Sequence, residues 1–148
     1  MRATPSRDLI VLTLVILAGT ASTGAHYTHN YLEIEHYPRS DLISNAVIQA
    51  GILVSWPLLT AVGLAGYRLY ALRKYRAAQV CLALYSPLGL ITLGHFLFGS
   101  PDIPAFWYAT IFTDALTSLG VLAFAAWSVW DNRLRQERAA VSVEGGRG

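Results

Sequence analysis

Long apolar stretches alternate with short polar joints along most of the chain. Four of these stretches approach or exceed the ~20 residues that a helix needs to cross a bilayer. They span about 9–27, 43–67, 77–99 and 104–130, and residues 133–148 form a polar, glycine-ended cytoplasmic tail that is expected to be frayed or disordered. Pro5 and Ser6 supply helix-start chemistry just before Leu9, where the first run, LIVLTLVILAGTASTGA, begins. That run is short for ~30 Å of hydrocarbon, so its helix is expected to continue into HYTHNYLEIEH. Pro57 and Pro87 fall inside the second and third runs and read as kinks, which membranes tolerate where neighbouring groups re-satisfy the freed carbonyls. The pattern predicts an all-α membrane protein, a four-transmembrane-helix bundle.

The polar joints differ sharply in charge, and this sets the expected orientation. Arg2, Arg7, Arg68, Arg73, Lys74, Arg76, Arg133, Arg135, Arg138 and Arg147 precede the first span, follow the fourth or lie between the second and third. Only Arg39 falls in the two other connections. Because Lys and Arg favour the cytoplasmic side, both termini are expected inside, with residues 27–41 and 99–104 facing outward. Phe106, Trp107 and Tyr108 fit an outer aromatic belt, and Trp127 and Trp130 an inner one. An alternative reads the first span as a cleaved secretory signal, with Ala18–Ala25 supplying small residues and His26 becoming the mature amino terminus. Thr23–Gly24–Ala25 is a mediocre cleavage site, however.

The composition excludes an ordinary soluble domain, because 54% of residues are hydrophobic and 14% charged, against about 25% charged in such domains. No basic run interleaved with aromatics supports nucleic-acid binding. The single cysteine, Cys81, lies in an apolar run and reads as a small buried residue. Lys74 is the sole lysine beside ten arginines, which suggests a GC-rich genome. The expected location is a cell membrane crossed several times, the bacterial inner membrane.

On this topology all four histidines, His26, His29, His36 and His95, fall at the outward end. Helical spacing places His26, Asn30 and Glu33 on one stripe of an extended first helix, and His29, Glu33 and His36 on an overlapping one. Asn45, Gln49 and Trp56 share a face of the second span, Tyr85, Thr92 and His95 one of the third, and Thr110, Asp114 and Thr117 one of the fourth. Ionisable groups in a bilayer cost several kcal/mol unless paired or wetted, so four helices with polar groups at one depth predict a shared pocket. Bland readings stand beside this one: Asp114 as packing glue, the histidines and Glu33 as interfacial or solvated groups, and Tyr27, Tyr31 and Tyr37 as interfacial anchors.

Three functions fit such a pocket. In the first it binds a small ligand, a metal or haem. Asn30, Asn45, Gln49, Thr92 and Thr110 would contact a ligand, and His26, His29, His36 and His95 would supply nitrogen donors. Copper or zinc suits imidazole, and a bis-histidine haem b is conceivable. Glu33-x-x-His36 is half of the pairing used by di-iron bundles. The second reading is a membrane-embedded acid–base enzyme for a lipid-like or sterol-like substrate, with Asp114 and Glu33 as its catalytic groups. The third is an accessory subunit that docks a membrane-protein partner or a second copy of itself.

The segments HYTHNYLEIEHYP and LGLITLGHF resemble, in layout, small four-span proteins of bacterial genomes. That resemblance implies the fold and carries no activity with it. Four-helix isomerases of the EXPERA type are similar in size and in having intramembrane acids. Their motif is not matched residue by residue, so the resemblance is architectural and implies no catalytic role.

Overall fold

A computed structural model describes residues 6–145 apart from 39 and 41, with side chains as far as residue 134. Arg2, Arg39 and Arg147, and the side chains of Arg135 and Arg138, which entered the charge bias, lie outside the described residues.

Helix α1 spans Arg7–Leu32, α2 Asn45–Ala71, α3 Tyr75–Tyr85, α4 Pro87–Leu90 and α5 Ala105–Gly145. Tight 3₁₀ turns cover Ile34–His36 and Ile91–Leu97. Four segments are long and apolar enough to cross a membrane: Arg7–Leu32, Asn45–Ala71, Tyr75–Leu97 and Ala105–Leu134.

Local chemistry explains the helix ends. The Ser6 hydroxyl accepts from the Leu9 N–H at 3.4 Å, and Asp8 sits in the first turn, where the helix dipole favours a negative charge. Ser44 caps α2 in the same way through the Val47 N–H at 3.4 Å. Pro57 lies within α2, which continues through it. Pro87 instead follows a break at Ser86 and starts α4, where its missing N–H costs no helix hydrogen bond. The 3₁₀ winding beyond it completes the third span.

Two of the sequence expectations change here. Helix α1 ends at Leu32, so Glu33 caps it and His36 lies in the separate 3₁₀ turn; the stripe shared by His29, Glu33 and His36 does not form. At the other terminus α5 continues through the polar tail as far as Gly145, because residues 133–140 are mostly strong helix formers.

The helices pack in a ring: α1 against α2 and α5, and α3 against α2 and α5. Leu12, Ile16, Ala78, Leu82, Tyr85 and Val121 form the core. Gly63 lies against the Tyr85 ring and Gly66 against Cys81 and Leu82, so small residues bring α2 close to α3. Beyond Ser86 the third span parts from α2 and instead follows α5 closely. A Cβ on Gly89 would strike the Asp114 carbonyl and Ser118. Large apolar side chains such as Leu53, Val54, Leu58 and Leu116 point outward, as a lipid-facing surface requires.

The two connections at the histidine end meet. The Asp102 N–H donates to the His36 carbonyl at 3.0 Å, and Pro38 lies over Gly99. The 72–74 turn lies at the opposite, arginine-bearing end.

Candidate functional site

Ser22, His26 and Asn30 recur every four residues on α1 and face the bundle interior, so this one stripe supplies three of the polar groups of the site. His26 is 0% exposed, as is Asp114 on α5. The His26 Nδ1 lies 3.2 Å from the Thr110 hydroxyl and 3.9 Å from Asp114 Oδ2. The Thr110 hydroxyl donates to the Trp107 carbonyl at 2.6 Å. Its proton is thereby committed, so it accepts from His26, and Nδ1 carries the hydrogen. Neutral His26 then presents a bare lone pair at Nε2, which is buried and has no partner.

Asp114 is held from the other side. The Ser22 hydroxyl lies 2.5 Å from Asp114 Oδ1 and 2.6 Å from the Thr113 hydroxyl. Asp114 Oδ2, turned toward His26, has no hydrogen-bond partner.

A second polar arm meets His26 from the third span. The ring centroids of His26 and His95 lie 5.6 Å apart. The Asn30 amide donates to His95 Nε2 at 3.2 Å, and the imidazole also meets the Pro38 carbonyl. Since Nε2 accepts, Nδ1 bears the proton available for Pro38. Asn30 Oδ1 is buried and unpartnered. The Thr92 hydroxyl donates to the Gly89 carbonyl at 2.7 Å and lies 3.3 Å from the Ile111 carbonyl, stitching the third span to α5.

Tyr37 roofs this group. It is 2% exposed, with ring centroids 4.8 Å from His95 and 5.6 Å from His26. Its hydroxyl hydrogen-bonds His29 Nδ1 at 2.8 Å, and the His29 ring stacks on Trp107 at 4.3 Å. Burial, with the nearby Asp114 charge as a second cause, pushes the Tyr37 phenol up to about 12.

A cavity of about 290 Å³ opens where α2 diverges from the third span. His26, Asn30, Thr92 and His95 line its polar side, while Gly51 and Ile52 belong to its α2 wall. Asp114 lies behind His26 and off the lining. Tyr27 closes one side, its hydroxyl donating to the Leu88 carbonyl at 2.7 Å. The volume is close to the lower end of small-ligand sites, ~300–1,000 Å³, and the mix of an apolar body with few polar groups matches them.

The structure therefore brings together His26, Asn30, Thr92, His95, Thr110 and Asp114. The other candidates lie apart. Glu33 and His36 pair with each other at 3.8 Å, both side chains 53% exposed. Gln49 donates to the Tyr31 carbonyl at 2.9 Å, tying α2 to α1, and Asn45 also lies off the cavity lining. His29 joins through Tyr37 and does not line the cavity. Among the described residues, no group of three or more His, Cys, Asp or Glu side chains is placed to hold a metal ion.

Sequence reasoning missed Ser22 and Tyr37. Ser22 was legible, four residues before His26 on the same stripe, but hid in a run of small residues. Tyr37 had no local signal, since only the closure of the 33–44 connection carries it onto the histidines.

No known family model, curated protein or solved structure matches the chain significantly, so the site rests on its own geometry.

Proposed function

We propose that this integral membrane protein binds a small, mostly apolar molecule bearing one hydrogen-bonding group, in the cavity between α2 and the third span. The observation that carries this reading is the pair of orphaned atoms, His26 Nε2 and Asn30 Oδ1. Both are buried without a partner on residues that line the cavity. Buried polar groups left unpaired cost ~1–3 kcal/mol, and a ligand bearing a hydroxyl or amide would satisfy them. A hydroxyl could donate to either atom, and its carbon skeleton would lie against Ile52, Leu88 and Ile91. The charge bias of the connections supports placing this end outside the cytoplasm.

Acid–base chemistry is a second reading, favoured by one arrangement. A carboxylate stands behind an imidazole whose far nitrogen has no partner, on a residue that lines the cavity, and a general base is oriented in a similar way. His26 would take the proton and Asp114 would position it; exposed Glu33 has no part.

The test is solvent extraction of detergent-purified protein, followed by mass spectrometry and elemental analysis. Wild type should release an enriched small molecule that the His26→Phe and Asn30→Leu variants retain poorly. Equal recovery from all three would remove the ligand assignment, and stoichiometric copper, zinc or iron would replace it with a histidine-held metal.

A further inference from the structure

A second cavity, of about 440 Å³, lies at the arginine end. Its walls come from the turn between α2 and α3, the start of α3, and α5: Arg73, Tyr75, Arg76, Gln79, Asn132 and Arg133 line it. Among the described residues, no carboxylate lies within ion-pair distance of any of these three guanidinium groups. Asp131, close enough to Tyr70 to act on it, does not line the cavity.

The cavity is built. The Gln79 amide donates to the Ser128 hydroxyl at 3.1 Å and locks α3 to α5 behind it. Tyr75 packs edge-on against Tyr70, ring centroids 5.2 Å apart. Arg73 has a backbone φ of +60°, the left-handed geometry that a helix end normally gives to Gly or Asn. The turn is closed by the Arg73 N–H on the Tyr70 carbonyl and the Lys74 N–H on the Leu69 carbonyl, each at 2.9 Å. The backbone thus holds a long cationic side chain where glycine would be less strained, and that side chain lines the cavity.

Its place at the ends of three spans points to the occupant. The second span ends at Ala71, the third begins at Tyr75 and the fourth ends at Leu134, so the cavity lies at the level where lipid headgroups sit. We propose that it holds the phosphate-bearing headgroup of an anionic membrane phospholipid. Guanidinium groups clasp phosphate oxygens in bidentate pairs, and the Asn132 amide adds a neutral donor. Basic pockets between spans are suited to such headgroups. This site is independent of the histidine-end cavity.

Native mass spectrometry of the full-length protein, with phosphatidylglycerol or phosphatidylcholine added to the detergent, tests the assignment. Wild type should retain phosphatidylglycerol preferentially. Arg76→Gln and Arg133→Gln should each weaken it about fivefold, the effect of ~one interfacial cation. Arg73→Gly should weaken it equally while melting no lower than wild type, which separates loss of lipid from loss of fold. A double Arg7→Gln and Arg68→Gln variant, altered outside the cavity, should bind as wild type does. Full retention by the three cavity variants, or equal loss in the control, would overturn the proposal. So would displacement of the lipid by millimolar inorganic phosphate, which would make the site one for soluble phosphate.

Discussion

His26 Nδ1 and Asp114 Oδ2 face each other at 3.9 Å across the α1–α5 seam, with neither side chain exposed. The gap is longer than a hydrogen bond, and Thr110 fills the nearer position. The Thr110 hydroxyl orients the imidazole, and the carboxyl lies beside it without a hydrogen bond. Removing Asp114 takes away the acceptor of the Ser22 hydroxyl, and a buried polar group left without its partner typically costs ~1–3 kcal/mol. Asp114→Ala should therefore melt well below wild type, whereas Asp114→Asn, which keeps an acceptor for Ser22, should lose less. A double-mutant cycle with His26→Phe should give a coupling of ~0.5–3 kcal/mol. Additive losses would show that the two side chains act separately.

Gly89 and Gly51 should respond oppositely to the same substitution. A Cβ at Gly89 would meet the Asp114 carbonyl, a backbone atom that cannot move aside without shifting α5. Gly89→Ala should cost ~1–3 kcal/mol, as overpacking does. Around Gly51 nothing lies within 4 Å, so Gly51→Ala should be neutral or gain up to ~1 kcal/mol from helix propensity. Unfolding in detergent measures both.

Tyr37 gives the histidine end a defined alkaline response. Its folded-state phenol is raised from 10.0 to about 12, chiefly by burial. Burial of the neutral phenol therefore contributes stability that is fully present below pH 10.0 and is lost as pH rises toward about 12. Wild type should lose stability across that window more steeply than Tyr37→Phe. Parallel curves would show that the ring is not buried over the histidines.

Arg73→Gly should melt no lower than wild type, and up to ~1–2 kcal/mol higher, because left-handed geometry carries a penalty of that size in non-glycine residues. A lower melting point would show that the Arg73 side chain stabilises the turn by more than its backbone strains it.

Much of the bundle was legible because lipid demands long apolar runs and internally satisfied backbones. The residues that converge, His26, Asn30, Thr92, His95, Thr110 and Asp114, were legible too, since helical spacing and depth place them together. What spacing could not show was where α1 stops. Counting Glu33 and His36 onto it required the helix to outlast Leu32, and the chain instead tightens into a 3₁₀ turn. Nor could it show that Asn45 and Gln49 lie off the cavity and that Gln49 is spent on the Tyr31 carbonyl. The cavity itself depends on the break at Ser86–Pro87, beyond which the histidine-bearing part of the third span turns away from α2. A proline announces such a break but not its direction.

The most direct measurement fills that cavity without touching its polar side chains. Gly51 lies on the α2 wall with open space beside it, so Gly51→Phe should occupy the volume while leaving His26, Asn30 and Asp114 intact. Native mass spectrometry of both proteins, released from the same detergent, reads the bound species directly. Wild type should carry a small-molecule adduct that the folded Gly51→Phe protein lacks. An identical adduct on both, or none on either, would contradict a ligand in this cavity.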